Sequence, residues 1–489
     1  MTIPIRIVAL AGASLLLGAC SLVPAYHTPA VALAPEWQAG HDVPLAQAAP
    51  VRTGWWRSFD DPALTALIGR ALRDSPTLAE AQARIEQARG TAEVAGAPLY
   101  PTLTLNGTLD RVHHGGSAAS TSKVGSGASS NGQSLFAEAG YELDFWGKNR
   151  AGADSADALA RASVFDADTV ALTLTASVAD TYFQLLSVRQ RLALAQTIAA
   201  DAERLLTLVQ SQADAGVASA LQVEQQRNAV ATFAAALPPL RQQVEQNSHL
   251  LAVLVGSTPE QFTQDGATLA AISVPQPQTD LPASLLQRRP DIQADEARLQ
   301  SANFDVGVAR AAFFPSLSLT ADAGLSSAAL NHLLSSNPVV DIAAAVAQPV
   351  FNGGQLSGQL KYNRARVTEL AATYRGTVLG ALQEVEDQLS AATHQHELEL
   401  AEQAAATSAQ RASTLAEAEY RYGSATFLDV LTAQRTLYQA EDTLLQARLA
   451  RLQAAVGLFR TLGGGFDAGA IPSQGASGAT TPSITGVAP

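Results

Sequence analysis

The stretch that decides the fold is Val170–Val209, which reads VALTLTASVADTYFQLLSVRQRLALAQTIAADAERLLTLV. Its apolar stripe is Val170, Leu174, Val178, Tyr182, Leu185, Val188, Leu192, Ala195, Ala199, Ala202, Leu206 and Val209. Steps of three and four put these residues on one side of a helix, which is therefore buried along that side. From Ala195 the two step lengths alternate strictly, close to the 3.5-residue period of a coiled-coil seam. Working outward, the helix starts near Lys148, and a second arm carries Val230, Phe233, Leu237, Leu240, Val244, Asn247, Leu251 and Leu254 at the same spacing. Lys148 to Gly256 is thus predicted to be a helical hairpin. Its first arm, if unbroken, reaches roughly 90–100 Å at about 1.5 Å per residue. Ordinary helices average about 11–12 residues, so a rod of this length exists to span a distance. Pro238-Pro239 interrupts the second arm, yet the stripe keeps its phase across it, which predicts a kink or short break and not a reversal.

Composition agrees with packed helices. The 489 residues are 47% hydrophobic and only 15% charged, and the abundant alanine lets helices approach closely. The formal charge of −13 argues against nucleic acid, whose binding rests on Lys and Arg neutralising phosphates. No apolar run of about 18 residues occurs after the N-terminal segment, so no transmembrane helix is expected there.

The first 19 residues read as a processing signal. Arg6 precedes an apolar run, Ile7 to Leu17, too short to cross a bilayer and suited to the core of a signal peptide. Cys20 follows Leu17-Gly18-Ala19 and is the chain's one cysteine, so it has no internal disulfide partner. The segment resembles a bacterial lipobox, in which the cysteine becomes the acylated first residue and a lipid anchor. Ser21 stands where inner-membrane lipoproteins often carry Asp, so the resemblance points to the outer membrane.

Residues 20–74, with Pro24, Pro29, Pro35, Pro44 and Pro50, are expected to be an extended N-terminal segment anchored by Trp55, Trp56 and Phe59. A helix should start at Ser75-Pro76, the cap and first position. Beyond it, Leu103, Leu105, Gly107 and Leu109 alternate with Thr102, Thr104, Asn106, Thr108 and Asp110. That is a strand with one apolar and one polar face. After a Gly/Ser-rich loop, Ala137, Ala139, Tyr141, Leu143 and Phe145 alternate with Glu138, Gly140, Glu142 and Asp144. The charged face should see water and the clean face can meet lipid, as in outer-membrane barrels. A single such hairpin would better suit an ordinary half-exposed sheet.

Repetition favours the barrel. Ser75-Pro76 is echoed by Arg289-Pro290, and Tyr100-Pro101 by Phe314-Pro315, at an offset of 214. Val178-Ala179-Asp180 is echoed by Val385-Glu386-Asp387, Gly216 by Gly423 and Gly256 by Gly463, at an offset of 207. The slip falls in the strand loop, where insertions are tolerated. A second hairpin follows, Leu317, Leu319, Ala321 and Ala323 leading to Val340, Ile342, Ala344 and Val346. The expected order is a first repeat over 75–270, with strands about 101–113 and 134–146 and a helical hairpin over 148–256. A second repeat follows over 271–465, with strands about 315–326 and 338–350 and a helical hairpin over 353–463, then a disordered tail over 466–489. Four strands cannot close a membrane barrel, since the smallest use about eight. The chain must therefore oligomerise.

Several motifs carry a family resemblance: Gly54-Trp55-Trp56-Arg57-Ser58-Phe59-Asp60-Asp61-Pro62, Tyr141-Glu142-Leu143-Asp144-Phe145-Trp146-Gly147-Lys148, Arg289-Pro290-Asp291-Ile292 and Arg310-Ala311-Ala312-Phe313-Phe314-Pro315-Ser316. From about residue 20 to 465 the chain resembles the TolC/NodT/OprM outer-membrane efflux proteins. The resemblance implies a mainly α fold with a membrane portion: a homotrimer sharing a twelve-stranded β-barrel, four strands per chain, continued by an α-helical barrel in the periplasm. It also implies a lipid-anchored exit duct in the outer membrane of a Gram-negative bacterium. Its partners would be a periplasmic adaptor protein and an inner-membrane pump of the resistance-nodulation-division type.

No cofactor, metal or enzyme signature is expected. His394 and His396 are two apart, about 200° round a helix, and do not share a face. No Walker loop, HExxH motif or Gly-x-Ser-x-Gly elbow occurs. The informative segments are the two hairpin turns. Gly216 and Gly423 permit tight reversals. By resemblance Gly216, Val217, Ala218, Gly423, Ser424 and Ala425 are the tips that meet the adaptor. The same resemblance puts Tyr420, Leu428, Asp429 and Arg435, with Gln222 in the other copy, on the pore gate. Asp429 would then form a ring of carboxylates that raise one another's pKa and attract cations; a solvated acidic face is the alternative. Ala425 stands where TolC-like members carry Arg, Gln222 where they carry Asp, and Thr432 where Asp is usual, so an ion-pair lock is not expected and Leu428 is favoured as the constriction. Rival readings are a periplasmic scaffold lipoprotein without a pore and, less favoured for want of a catalytic constellation, a barrel lipase.

Overall fold

The structure is a computed structural model that describes residues 22–38, 53–113, 129–263, 268–275, 282–328 and 330–466. The expected signal segment, the expected lipid anchor Cys20 and the tail beyond Phe466 lie outside the described residues. Two short helices, α1 (Pro62–Asp74) and α2 (Pro76–Gly96), precede strands β1 (Thr102–His113) and β2 (Ser129–Leu143). Next come α3 (Lys148–Asp214), α4 (Ala220–Ala235) and α5 (Leu237–Leu254). The second copy contributes α6 (Pro290–Ala311), β3 (Ser316–Ser327), β4 (Pro338–Ala347), α7 (Gln355–Arg421) and α8 (Phe427–Thr461). Among the described residues no helix is long and apolar enough to cross a membrane.

The first arm is unbroken over 67 residues. Its partner breaks once, at Ala236, where Pro238 and Pro239 enter the first turn of α5. Proline has no amide hydrogen to give the preceding turn, so the first turn of a helix is where it costs least. Every helix boundary of the second hairpin lies 207 residues after its counterpart in the first.

The segment over residues 20–74 is not extended throughout. Pro62–Asp74 is a helix, because Asp61 caps it by accepting from the amides of Ala63 (2.7 Å) and Leu64 (3.2 Å) and Pro62 opens it. Leu64, Leu67, Ile68 and Ala71 then form its buried stripe. The strands also differ at their ends. β2 starts at Ser129 because β1 is long enough to pair with it, Asp110 opposite Gly132 and His113 opposite Ser129. β4 stops at Ala347, before Pro349, which has no amide to give the ladder.

Compactness groups the chain across the two repeats. One unit comprises Met1–Ala30, Gln82–Val164 and Ala294–Gly376; the other comprises Val31–Ala81, Phe165–Gln293 and Thr377–Pro489. The first unit holds the sheet, antiparallel in the order β1-β2-β3-β4. Register sorts most side chains by face, with Phe136 and Val339 as large apolar exceptions in one polar-face row. One row across the four strands is Leu103, Ala139, Ala321 and Ile342, and the next is Thr104, Glu138, Asp322 and Asp341. The apolar face is uncovered, with Leu105 70% and Ile342 77% exposed. Where β2 and β3 meet the helices, Trp146 donates to the Pro315 carbonyl (2.7 Å) and stacks on Phe314 at 4.8 Å. Small residues bring the helices of this unit close: the Ser155 hydroxyl lies 2.8 Å from that of Ser301 and donates to Asp305 (2.7 Å).

The second unit contains the main core, Phe59, Leu64 and Ile68 against Tyr182, Phe183 and Leu185 of α3, Leu251 and Val255 at the end of α5, and Leu452 and Phe459 of α8. Trp55 stacks on Phe459 at 5.3 Å. The Tyr182 hydroxyl, fully buried, donates to Asp61 Oδ2 (2.9 Å), so the capping carboxylate also ties α1 to α3. Arg289, of the Arg-Pro-Asp motif, grips Asp291 with two bonds (3.1 and 2.7 Å) and Glu384 with a third (2.8 Å). Gly256 and Gly463 have positive φ, and a Cβ on either would strike the carbonyl of Asp74 or Arg288 respectively. Both hairpins therefore end in a close approach that only glycine permits.

Candidate functional site

The two hairpin tips, both in the second unit, are built by one recipe used twice. Helix α3 ends in left-handed Gly216 (φ +70°), whose amide reaches the Ala213 carbonyl (2.9 Å) while Val217 reaches Gln212 (2.8 Å). Helix α7 ends in Gly423 (φ +77°), with its amide on Tyr420 (3.0 Å) and Ser424 on Glu419 (2.9 Å). A left-handed residue after the last turn satisfies carbonyls that would otherwise face outward unpaired. The return helices then start with capping boxes. Ser219 receives the Gln222 amide and its own amide donates to Gln222 Oε1 (2.7 Å). Thr426 receives the Asp429 amide, and its amide (2.8 Å) and hydroxyl (2.6 Å) both donate to Asp429 Oδ2. The reciprocal pairing closes orphan donors at each helix start. Gly216, Val217, Gly423 and Ser424 are exposed; Ala218 and Ala425 are half-buried.

The five gate candidates do not form one cluster. Gln222 and Asp429 occupy the same position in the two copies, and each turns back on its own cap. Hydrogen bonds from Thr426 hold the Asp429 carboxyl below the usual carboxylate range. Tyr420 faces the interior of the tip: its ring lies 5.7 Å from Phe427, and its hydroxyl donates to Gln212 (2.9 Å), linking the two hairpins. Burial pushes its phenol up. Beneath it, Val209, Val223 and Phe427 form a small buried cluster.

Leu428 and Arg435 are the candidates that come together. They line a cleft of about 530 Å³ between α4 and α8, with Leu221, Phe233, Leu431 and Thr432. Leu221 lines the same cleft, although the motif reading did not single it out. It is 67% exposed, as Leu428 is 61% exposed, and the 207-residue offset makes the two equivalent. That offset was the available signal. The arrangement presents two uncovered leucines, one per hairpin, on rigidly capped helix starts.

Comparison with known proteins agrees with this geometry. The profile of the outer membrane efflux protein family matches residues 67–257 and 281–464. The chain is 38% identical over 470 residues to the pyoverdine export outer membrane protein OpmQ of Pseudomonas aeruginosa, covering 94% of this chain and 96% of that one. It is 32% identical to the toluene efflux pump outer membrane protein TtgC of Pseudomonas putida, covering 94% and 96%. Among solved structures, the outer-membrane channel OprN superposes with a TM-score of 0.84 at 28% identity, over 91% of this chain and 99% of that one. The open state of the Neisseria gonorrhoeae MtrE outer membrane channel gives 0.83 at 28%, over 92% and 99%. On the family profile and on its identity to these relatives along nearly its whole length, the chain belongs to the outer membrane efflux protein family.

Proposed function

We propose that three copies of this chain form the exit duct of a tripartite efflux system, conducting small molecules out of the cell without chemical change. The observation that carries this reading is the sheet. It has an exposed apolar face and pairs on only one side of β1 and of β4. In lipid, unpaired backbone at such edges costs several kcal/mol per group, so the edges must pair with other copies. Three copies close a twelve-stranded barrel whose polar face, with Glu138, Asp322 and Asp341, lines water. Tyr100, Phe145, Phe314 and the 91% exposed Phe351 sit at the ends of the strands next to the helices. An aromatic girdle of this kind marks a membrane boundary, here the periplasmic one.

In this reading acylated Cys20 anchors the chain in the outer membrane. Gly216, Val217, Ala218, Gly423, Ser424 and Ala425 meet a periplasmic adaptor, and a resistance-nodulation-division pump in the inner membrane supplies the energy. Leu428 with Leu221 forms the constriction and Arg435 its charged flank. Gln222 and Asp429 fix the helix starts, and Tyr420 couples the hairpins. Relatives named for pyoverdine export and toluene efflux support a small-molecule cargo. Light scattering should give a trimer, and planar bilayers should show discrete conductance that Leu428→Ala combined with Leu221→Ala increases. A monomer without conductance overturns the duct, whereas an unaltered conductance in the double variant removes only the gate.

A further inference from the structure

In the second unit, α3, α7 and α8 line an open cleft of about 430 Å³ that none of the gate or tip residues borders. Its floor is made of alanines, with the Gln388 carboxamide lying close over Gly457. Its walls are polar: Ser177 and Asp180 from α3, Gln388 and Gln395 from α7, Gln453 and Arg460 from α8. Asp180 Oδ1 and Gln395 Oε1 are both buried with no hydrogen-bond partner among the described residues. Burial pushes the Asp180 carboxyl up to about 6, and the Arg460 guanidinium draws it only part of the way back. Facing Asp180, α8 contributes Arg460, while the cleft-lining side chains of α7 and of α3 itself are neutral. A carboxylate held in a cleft against desolvation, with one charge partner, is a candidate functional site. Two unsatisfied acceptors, one on α3 and one on α7, also require donors.

We propose that this cleft binds a small zwitterion, its ammonium group donating to Asp180 and Gln395 and its carboxylate held by Arg460. The pairing follows from the charges: a lone cation would be repelled by Arg460 and a lone anion by Asp180, so only a ligand carrying both signs a few bonds apart suits the pair. Ligand sites of about 300–1,000 Å³ are ordinary, and the volume suits a dipeptide-sized molecule. Gln388 and Gln453 supply amide groups for its peptide bond. The site is independent of the duct reading, since it needs neither a pore nor a partner.

The test is calorimetric titration of alanylalanine into the detergent-solubilised full-length protein, with ethylammonium and acetate as half-ligands. Saturable binding at about pH 7.5 is expected, at least about tenfold tighter than either half-ligand. It should weaken about tenfold at pH near 5, where the Asp180 carboxyl is mostly neutral. Asp180→Asn and Arg460→Gln should each weaken binding at least about tenfold. Ala450→Leu, which fills the floor, should abolish it without touching a charge. No saturable heat, ethylammonium binding as tightly as the dipeptide, or binding unchanged in the three variants would each overturn the proposal.

Discussion

At the scale of single residues, Asp180 and the capping pairs make opposite use of a carboxylate. Asp429 is exposed and stabilised by two bonds from Thr426, whereas Asp180 is half-buried, its Oδ1 enclosed and without a hydrogen-bond partner among the described residues. Because the Asp180 carboxyl is raised from 3.8 to about 6 in the folded chain, folding favours its protonated form. The stability this gives is fully present below about pH 4 and is lost as pH rises through 6. Asp180→Asn escapes that loss. Its melts should match wild type near pH 4 and exceed it at pH 7.5, by up to about 3 kcal/mol. Equal pH profiles for the two proteins would show that the carboxyl is not desolvated. Thr426→Ala, which strips the cap of α8, should cost about 1 kcal/mol, read as faster amide exchange over the first turn of α8. Motif position puts Asp429 and Gln222 at equivalent helix starts but leaves the direction of their side chains open. A helix start offers such a residue two targets, the axis or its own cap, and only coordinates choose between them.

Among elements, the parts of the fold decided by a long periodic pattern were legible in advance, and those decided by a partner were not. The stripe from Val170 to Val209 and the alternation from Leu103 to Leu109 each repeat often enough to fix an element. Ser129 to Gln133 shows no such pattern and becomes strand because β1 supplies a ladder for it. Helix α1 carried its own signals in Asp61, Pro62 and the Leu64-Leu67-Ile68-Ala71 stripe, but the proline-rich approach to it reads as extended. The ends of the hairpins give a sharper test. Gly256→Ala and Gly463→Ala each force a side chain into a left-handed backbone and against a carbonyl. Each should lower stability by at least about 1 kcal/mol in denaturant titration, whereas Gly216→Ala, with open space around it, should lose only the conformational part.

For the whole molecule, the two faces of the sheet predict which changes membrane insertion tolerates. Ile342 sits mid-strand on the apolar face, so Ile342→Arg should cost about 2–4 kcal/mol in lipid. It should shift the protein from the outer-membrane fraction to inclusion or degradation. Asp341→Asn, one residue away on the other face, should insert normally, since it only relieves like charges beside Asp322. Equal insertion of both variants would mean that the faces are not solvated as assigned.

The constant offset of 207 between the two sets of helix boundaries has a consequence for how such a chain can change over time. One residue added to a single 67-residue arm would swing everything beyond it by about 100° and advance it by about 1.5 Å, leaving the two tips out of step. Gains and losses in these arms are therefore viable only when made in both halves, whereas the strand loops, where the offset changes from 214 to 207, drift freely. The gene should record this as ragged alignment between its halves at the outer loops and none along the rods.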